Sequence, residues 1–146
     1  MNLYAESSAV LSWLLGEKEG PVIRRLLRNA RLILTSDLTL VECDRVITRA
    51  IALKGITNKN ADSCRKRLRA ATPAWYVLRV SGDIIDRARQ PFPVEPIRTL
   101  DAVHIASALN ARAAIPDITL LSLDNRIRVN ALELGFSVVP RKFTTN

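Results

Sequence analysis

Apolar and polar positions along this chain switch repeatedly between strand-like and helix-like spacing. Leu3 to Ala5 form a short apolar run, and the SSAVLSWLL that follows sets Val10, Leu11, Leu14 and Leu15 at helical spacing with a serine available as N-cap. A strand followed by a helix is predicted. GPVIRRLLRNA predicts a second helix opened by Pro21, RLILTS a second strand, and SDLTLVECDRVITRAIALKG a long helix capped by Ser36 or Asp37 and closed by Gly55. NADSCRKRLRAA reads as a basic helix, WYVLRVS as a third strand, and GDIIDRARQ as a short helix ending before Pro91 and Pro93. RTLDAVHIASAL is a further helix, which Thr99 could cap, and ITLLSLD a fourth strand. NRIRVNALELG is a last helix stopped by Gly135, and FSVVP a fifth strand cut off by Pro140. Strands alternating with helices in this way indicate an α/β protein built from parallel βαβ units.

Length and composition narrow the picture. At 146 residues, 48% apolar and 25% charged, the chain is expected to form one compact domain over 1–146 with a sizeable core. Its formal charge of +8, from 22 Lys and Arg against 14 Asp and Glu, points to a polyanionic partner such as nucleic acid, or to an acidic protein. No apolar run approaches about 18 residues, and MNLYAESSAV carries an acid where a basic leader would stand, so no membrane association and a cytoplasmic location are expected. Cys43 and Cys64 are far apart and belong to no CxxC or Cys/His cluster, which argues against zinc and calls for no disulfide.

Four carboxylates fall where chemistry is expected. In an open parallel sheet, ligands bind beyond the carboxyl ends of the strands, where the strand order reverses. Glu6 follows the first strand directly and Asp124 follows the fourth. Asp101 enters from the start of the helix before the fourth strand, and Glu42 from the first half of the long helix. Each has an ordinary explanation alone: a loop acid, a partner of Arg45, a helix-dipole acid and an N-cap. Together, four carboxylates at one crevice repel and raise one another's pKa unless a cation is held among them, and hard oxygen ligands suit magnesium or manganese.

In LYAESSAVLSWLLGE, TSDLTLVECDR, RTLDAVHIASAL and LLSLDNRIRVNALELGFSVV the chain resembles, over nearly its whole length, the PIN-domain nucleases and among them the VapC-like toxins of prokaryotic toxin–antitoxin pairs. The resemblance implies a three-layer sandwich with a central, five-stranded, mainly parallel sheet flanked by helices. It implies hydrolysis of RNA phosphodiesters with Mg2+ or Mn2+ held by Glu6, Glu42, Asp101 and Asp124, with Ser8 as a supporting hydroxyl. A cognate antitoxin and a homodimer are implied as partners. One position departs from the pattern: Glu6 stands where the family has Asp and is one methylene longer, which keeps open a weakened PIN-like module that only binds RNA or protein. A receiver-type phosphotransfer domain fits poorly, because it resembles a pattern with paired acids after the first strand, where this chain has Glu6 alone.

Basic candidates for holding RNA are Arg45 and Arg49 on the acid-bearing helix and the cluster Arg65, Lys66, Arg67 and Arg69. His104, the chain's only histidine, lies one helical turn from Asp101 and reads as a packing residue or a donor of an orienting hydrogen bond rather than a general base. Asn125 is expected to start the last helix, and the scattered aromatics, Trp13 and Trp75 among them, to serve core or interface rather than a base-stacking platform.

Overall fold

The computed structural model describes residues 1–141. The strands are β1 (Asn2–Ala5), β2 (Leu32–Ser36), β3 (Tyr76–Leu78), β4 (Ile118–Leu121) and β5 (Val138–Val139). The helices are α1 (Ser7–Leu15), α2 (Gly20–Asn29), α3 (Asp37–Ala52), α4 (Asn58–Ala71), α5 (Gly82–Ala88), α6 (Thr99–Ala114) and α7 (Asn125–Glu133), with a 3-10 turn at Thr72–Ala74. The strands form one sheet in the order β3-β2-β1-β4-β5, parallel at every pairing. None of the described helices is long and apolar enough to cross a membrane.

Side chains alternate across a strand, so one strand feeds two cores. Leu3 and Ala5 of β1 pack with residues of α1, α2, α3 and α4, including Val10, Leu14, Ile23, Cys43, Ile47 and Leu68. Tyr4, between them, joins the opposite core with Ile105, Ile127, Phe92 and Phe136, under α6 and α7. Helices on both faces explain why β1 is buried along its whole length and why the central strands read as apolar runs rather than alternating ones. Trp13 and Trp75 pack against the first core with ring centroids 6.3 Å apart. Both cysteines are buried and free, and burial, with the charges of Glu6, Glu42 and Asp44, pushes the Cys43 thiol up to about 12.

Several element ends differ from the sequence expectation, each because a side chain takes over a backbone group. β4 stops at Leu121 because the Leu123 and Asp124 amides turn to the Ser8 and Ser122 hydroxyls, at 2.9 and 3.1 Å. β3 is cut short as the Val80 N–H leaves the ladder for Asp37 Oδ1, 3.2 Å away. The cap of α1 is Glu6 rather than a serine, since Ser7 and Ser8 are already helical and the Ser8 N–H donates to Glu6 Oε1 at 3.0 Å. Thr99 does not cap α6 but is its first helical residue, behind Arg98. At the end of α3 the left-handed residue is Lys54 (φ 56°), while the Gly55 N–H returns to the Ala50 carbonyl at 2.8 Å.

The chain builds β1, β2 and β3 outward in one direction, then returns to lay β4 on the other side of β1. Between β1 and β4 the order reverses, and their carboxyl ends open the crevice where a ligand is held in such sheets. Ala5 is in register with Leu121, and the Glu6 N–H donates to the Leu121 carbonyl at 3.0 Å, so the residues just beyond the two strands are brought side by side.

Candidate functional site

Glu6 is the first side chain past β1, and it turns inward, 2% exposed. Its Oε1 accepts from the Ser7 hydroxyl at 2.6 Å and from the Ser8 amide at 3.0 Å. Its Oε2 accepts from the Ser122 hydroxyl at 2.7 Å and from the Ser8 hydroxyl. A carboxylate offers about four lone-pair sites, and all of them are engaged here. The extra methylene of glutamate is what lets one carboxylate cap α1 and also reach Ser122 at the end of β4.

Glu42 is the sixth residue of α3, and its Oε2 accepts a hydrogen bond from His104 Nε2 of α6. Burial pushes the Glu42 carboxyl up, but the His104 bond and charge, with the nearby Ser7 hydroxyl, outweigh it and hold the group below the usual range. His104 Nε2 also lies 3.8 Å from Glu6 Oε1. Burial pulls the imidazole down, while the Glu42 bond and the charges of Glu6, Glu42 and Asp101 raise it to a net value above the ordinary one. One ligand atom from each of Glu6, Glu42 and His104 falls within 4.8 Å of the others.

Asp101 and Asp124 complete the surroundings without joining that tight group. Asp101 sits in the first turn of α6, 9% exposed, and its Oδ2 is buried with no hydrogen-bond partner among the described residues. Burial first, then the charges of Asp124 and Glu6, push its carboxyl up against the opposing pull of Arg98 and His104. A buried, unpartnered carboxylate oxygen is costly unless a cation or donor arrives. Asp124 caps α7, its Oδ1 accepting from the Arg126 and Ile127 amides at 2.8 and 3.2 Å, and Asn125 opens the helix. The donor set is therefore oxygen-rich, anionic and short of positive charge, and it fits a hard divalent cation.

Ser8 stands against Glu6, where the resemblance put a supporting hydroxyl. Ser7 and Ser122, outside the sequence expectation, complete the cradle; their signal in the chain is closeness to an acid at a strand end, Ser7 directly after Glu6 in ESS and Ser122 two before Asp124 in SLD.

The basic candidates separate. Exposed Arg45 and Arg49 line a surface depression of about 560 Å³ together with Glu42, Leu38, Val41 and Leu100. In the α4 cluster, Arg65 bonds Thr48 at 3.0 Å and pairs with Asp44 at 3.6 Å, and Arg67 donates to the Leu14 carbonyl at 2.6 Å. Leu14 is eight residues after Glu6, about 12 Å along α1 at 1.5 Å per residue. Lys66 and Arg69 are exposed on the same helix.

Comparison with known proteins gives a consistent family. A family model described as PIN domain matches residues 3–132. The chain is 34% identical over 137 residues to Ribonuclease VapC46 of Mycobacterium tuberculosis, covering 94% of this chain and 95% of that protein. It is 31% identical over 142 residues to Ribonuclease VapC35 of the same species, with the same coverage. Among solved structures it is similar to Mycobacterium tuberculosis VapC20, described as a sarcin-ricin loop cleaving toxin, with a TM-score of 0.64 and 17% identity over 92% of this chain and 96% of that one. A chain of a toxin–antitoxin complex from Klebsiella pneumoniae aligns with a TM-score of 0.63 and 18% identity, over 98% of this chain and 100% of that one. At those identities the structural likeness speaks to the fold, a three-layer α/β sandwich.

Proposed function

This chain belongs to the PIN domain family, and from that membership and its site we propose that it is a divalent-metal-dependent ribonuclease, the toxin of a toxin–antitoxin pair. The observation that carries the reading is the buried Asp101 oxygen without a partner, facing the charges of Asp124 and Glu6 at the β1–β4 switch point. Glu6, Glu42, Asp101 and Asp124 are the residues that would hold the ion, Mg2+ or Mn2+, which would supply Lewis-acid polarisation of the scissile phosphate and a more acidic attacking water.

The chain's own residues do the rest. The serine cradle fixes Glu6, so that β1, α1 and β4 present one rigid rim. α6 delivers Asp101 from its first turn, where the helix dipole favours an anion, and α7 delivers Asp124 already oriented by two amides. Arg45 and Arg49, beside Glu42, bind flanking phosphates of the RNA. The basic charge of the whole chain draws RNA to the site in the cytoplasm. An acidic antitoxin segment competes for the same basic surface, and the toxin acts as a homodimer.

Purified protein incubated with mixed RNA should cleave it in Mg2+ or Mn2+ and not in EDTA. Cleavage that persists in EDTA, or none with either ion, excludes the reading. One observation favours a second reading, a module that binds RNA or protein with little cleavage. All four lone-pair sites of Glu6 are taken by the protein, so an ion must displace a serine donor to reach them. RNA binding without metal-dependent cleavage would identify that case.

A further inference from the structure

His104 is 1% exposed where α6 meets α3 and the end of β1. Its Nε2 bonds Glu42 Oε2 and lies 3.4 Å from the Ser7 hydroxyl, while Nδ1 is buried with no partner among the described residues. An ionised carboxylate has no proton to give, so the ring supplies it and Nε2 is the protonated nitrogen. A protonated Nε2 has no lone pair for a cation and no room for a substrate proton, which removes both the ligand and the general-base roles at that atom. Filling space is not an adequate account either. A buried Nδ1 without a partner carries a desolvation cost that a leucine of similar volume would not. What the ring contributes is the bond to Glu42.

Glu42 needs such an anchor. It is a long, half-buried side chain at the edge of α3, with three torsions to fix and the exposed Arg45 and Arg49 lining the same depression. We propose that His104 is a positioning residue: through one N–H it holds the Glu42 carboxylate toward Glu6, leaving the remaining Glu42 oxygen lone pairs preset for a cation. The proposal rests on the reading that a divalent ion is held between these carboxylates. Partners of this kind, one step behind a ligand, typically change metal affinity by about 10- to 100-fold when removed.

The test uses the whole chain, with Mn2+ affinity measured by titration calorimetry. His104→Leu should bind Mn2+ about 10- to 100-fold more weakly, as should Glu42→Gln, whereas His104→Gln, whose amide also offers an N–H, should stay within about threefold of the parent. Because the chain has one histidine, its ring nitrogens give single NMR signals. In metal-free protein the Nε2 proton should be visible and should move in Glu42→Gln. Should His104→Leu fail to fold, His104→Asn, one methylene too short to reach, replaces it with the same expected loss. Parental affinity in the folded Leu or Asn variant overturns the proposal, and so does a ring signal that ignores Glu42→Gln. A parent that binds no Mn2+ while its ring signal responds to Glu42→Gln would instead remove the cation reading and the proposal with it, leaving only a structural bond.

Discussion

The Ser122 hydroxyl at the end of β4 donates to the Glu6 carboxylate at the end of β1 across 2.7 Å, joining residues 116 positions apart in the chain. The two strands flank the switch point, so this bond closes the floor of the crevice. One glutamate carboxylate thereby serves both the α1 cap and the end of β4.

Shortening that side chain tests the cradle. Glu6→Asp should cap α1 but lose Ser122, lowering unfolding stability by roughly 1.5 to 3 kcal/mol, the range for a hydrogen bond to a charged group. Glu6→Ala, which strands the Ser7, Ser8 and Ser122 hydroxyls together, should cost more. Urea denaturation in EDTA reads both. Midpoints equal to the parent's would show that the cradle contributes nothing.

Asp101→Asn should abolish metal-dependent cleavage and, without metal, raise the melting temperature. The sign follows from the raised carboxyl: the folded protein holds the Asp101 proton more tightly than the unfolded chain, so ionisation costs stability as the pH rises above the ordinary 3.8. An amide cannot ionise. The variant should melt roughly 1 to 4 °C higher at neutral pH, and the gain should vanish below pH 3.8. A variant that melts lower at neutral pH would mean that the charge is not a burden.

His104 and Glu42 give stability a two-sided pH dependence in EDTA. His104 is faced by Glu42, Glu6, Asp101 and the Ser7 hydroxyl, and its folded pKa exceeds the ordinary 6.5. Its contribution is complete below 6.5 and is lost as the pH rises through the folded value. Glu42 is lowered from 4.5, so its contribution is present above 4.5 and is lost as the pH falls through its folded value. Stability from the pair should peak between these limits. His104→Gln should remove the alkaline limb and weaken the acid one, since the His104 charge that lowers the Glu42 carboxyl is gone, as thermal melts across the range would register. An unchanged alkaline limb would assign it to another group.

RNA affinity should depend more on α3 than on α4. For single strands log K falls with log salt at a slope of about 0.7 per phosphate neutralised. Replacing Arg45 and Arg49 by alanine should weaken binding and flatten that slope, since both share a depression with Glu42. Replacing Lys66 and Arg69 should do so less, because α4 meets α1 near Leu14 rather than Glu6. Binding isotherms at several salt concentrations would separate the two, and the reverse order would place RNA across α4.

The order of strands and helices was legible from the chain because each element carries its own period and its own stop, as in the apolar run Leu3 to Ala5 and the glycine at 135 (φ 82°). That the acids just beyond β1 and β4, Glu6 and Asp124, come to the same end of the sheet was legible too, since a parallel α/β arrangement tells which strand ends meet before any contact is known. What the sequence could not determine was how those groups share their partners. Whether Glu6 faces an ion or three serines depends on a bond to Ser122, and whether Glu42 faces solvent or the crevice depends on His104, 62 positions away. Those choices follow from which side chains are buried together, and burial is settled only when β4 returns to lie beside β1. The same holds for the basic residues: Arg45 and Arg67 are equivalent charges in the sequence, yet one shares a depression with Glu42 while the other is tied to the Leu14 carbonyl. Local pattern fixes the elements because their hydrogen bonds are local; the site is decided by packing between residues far apart in the chain, which leaves no period to read.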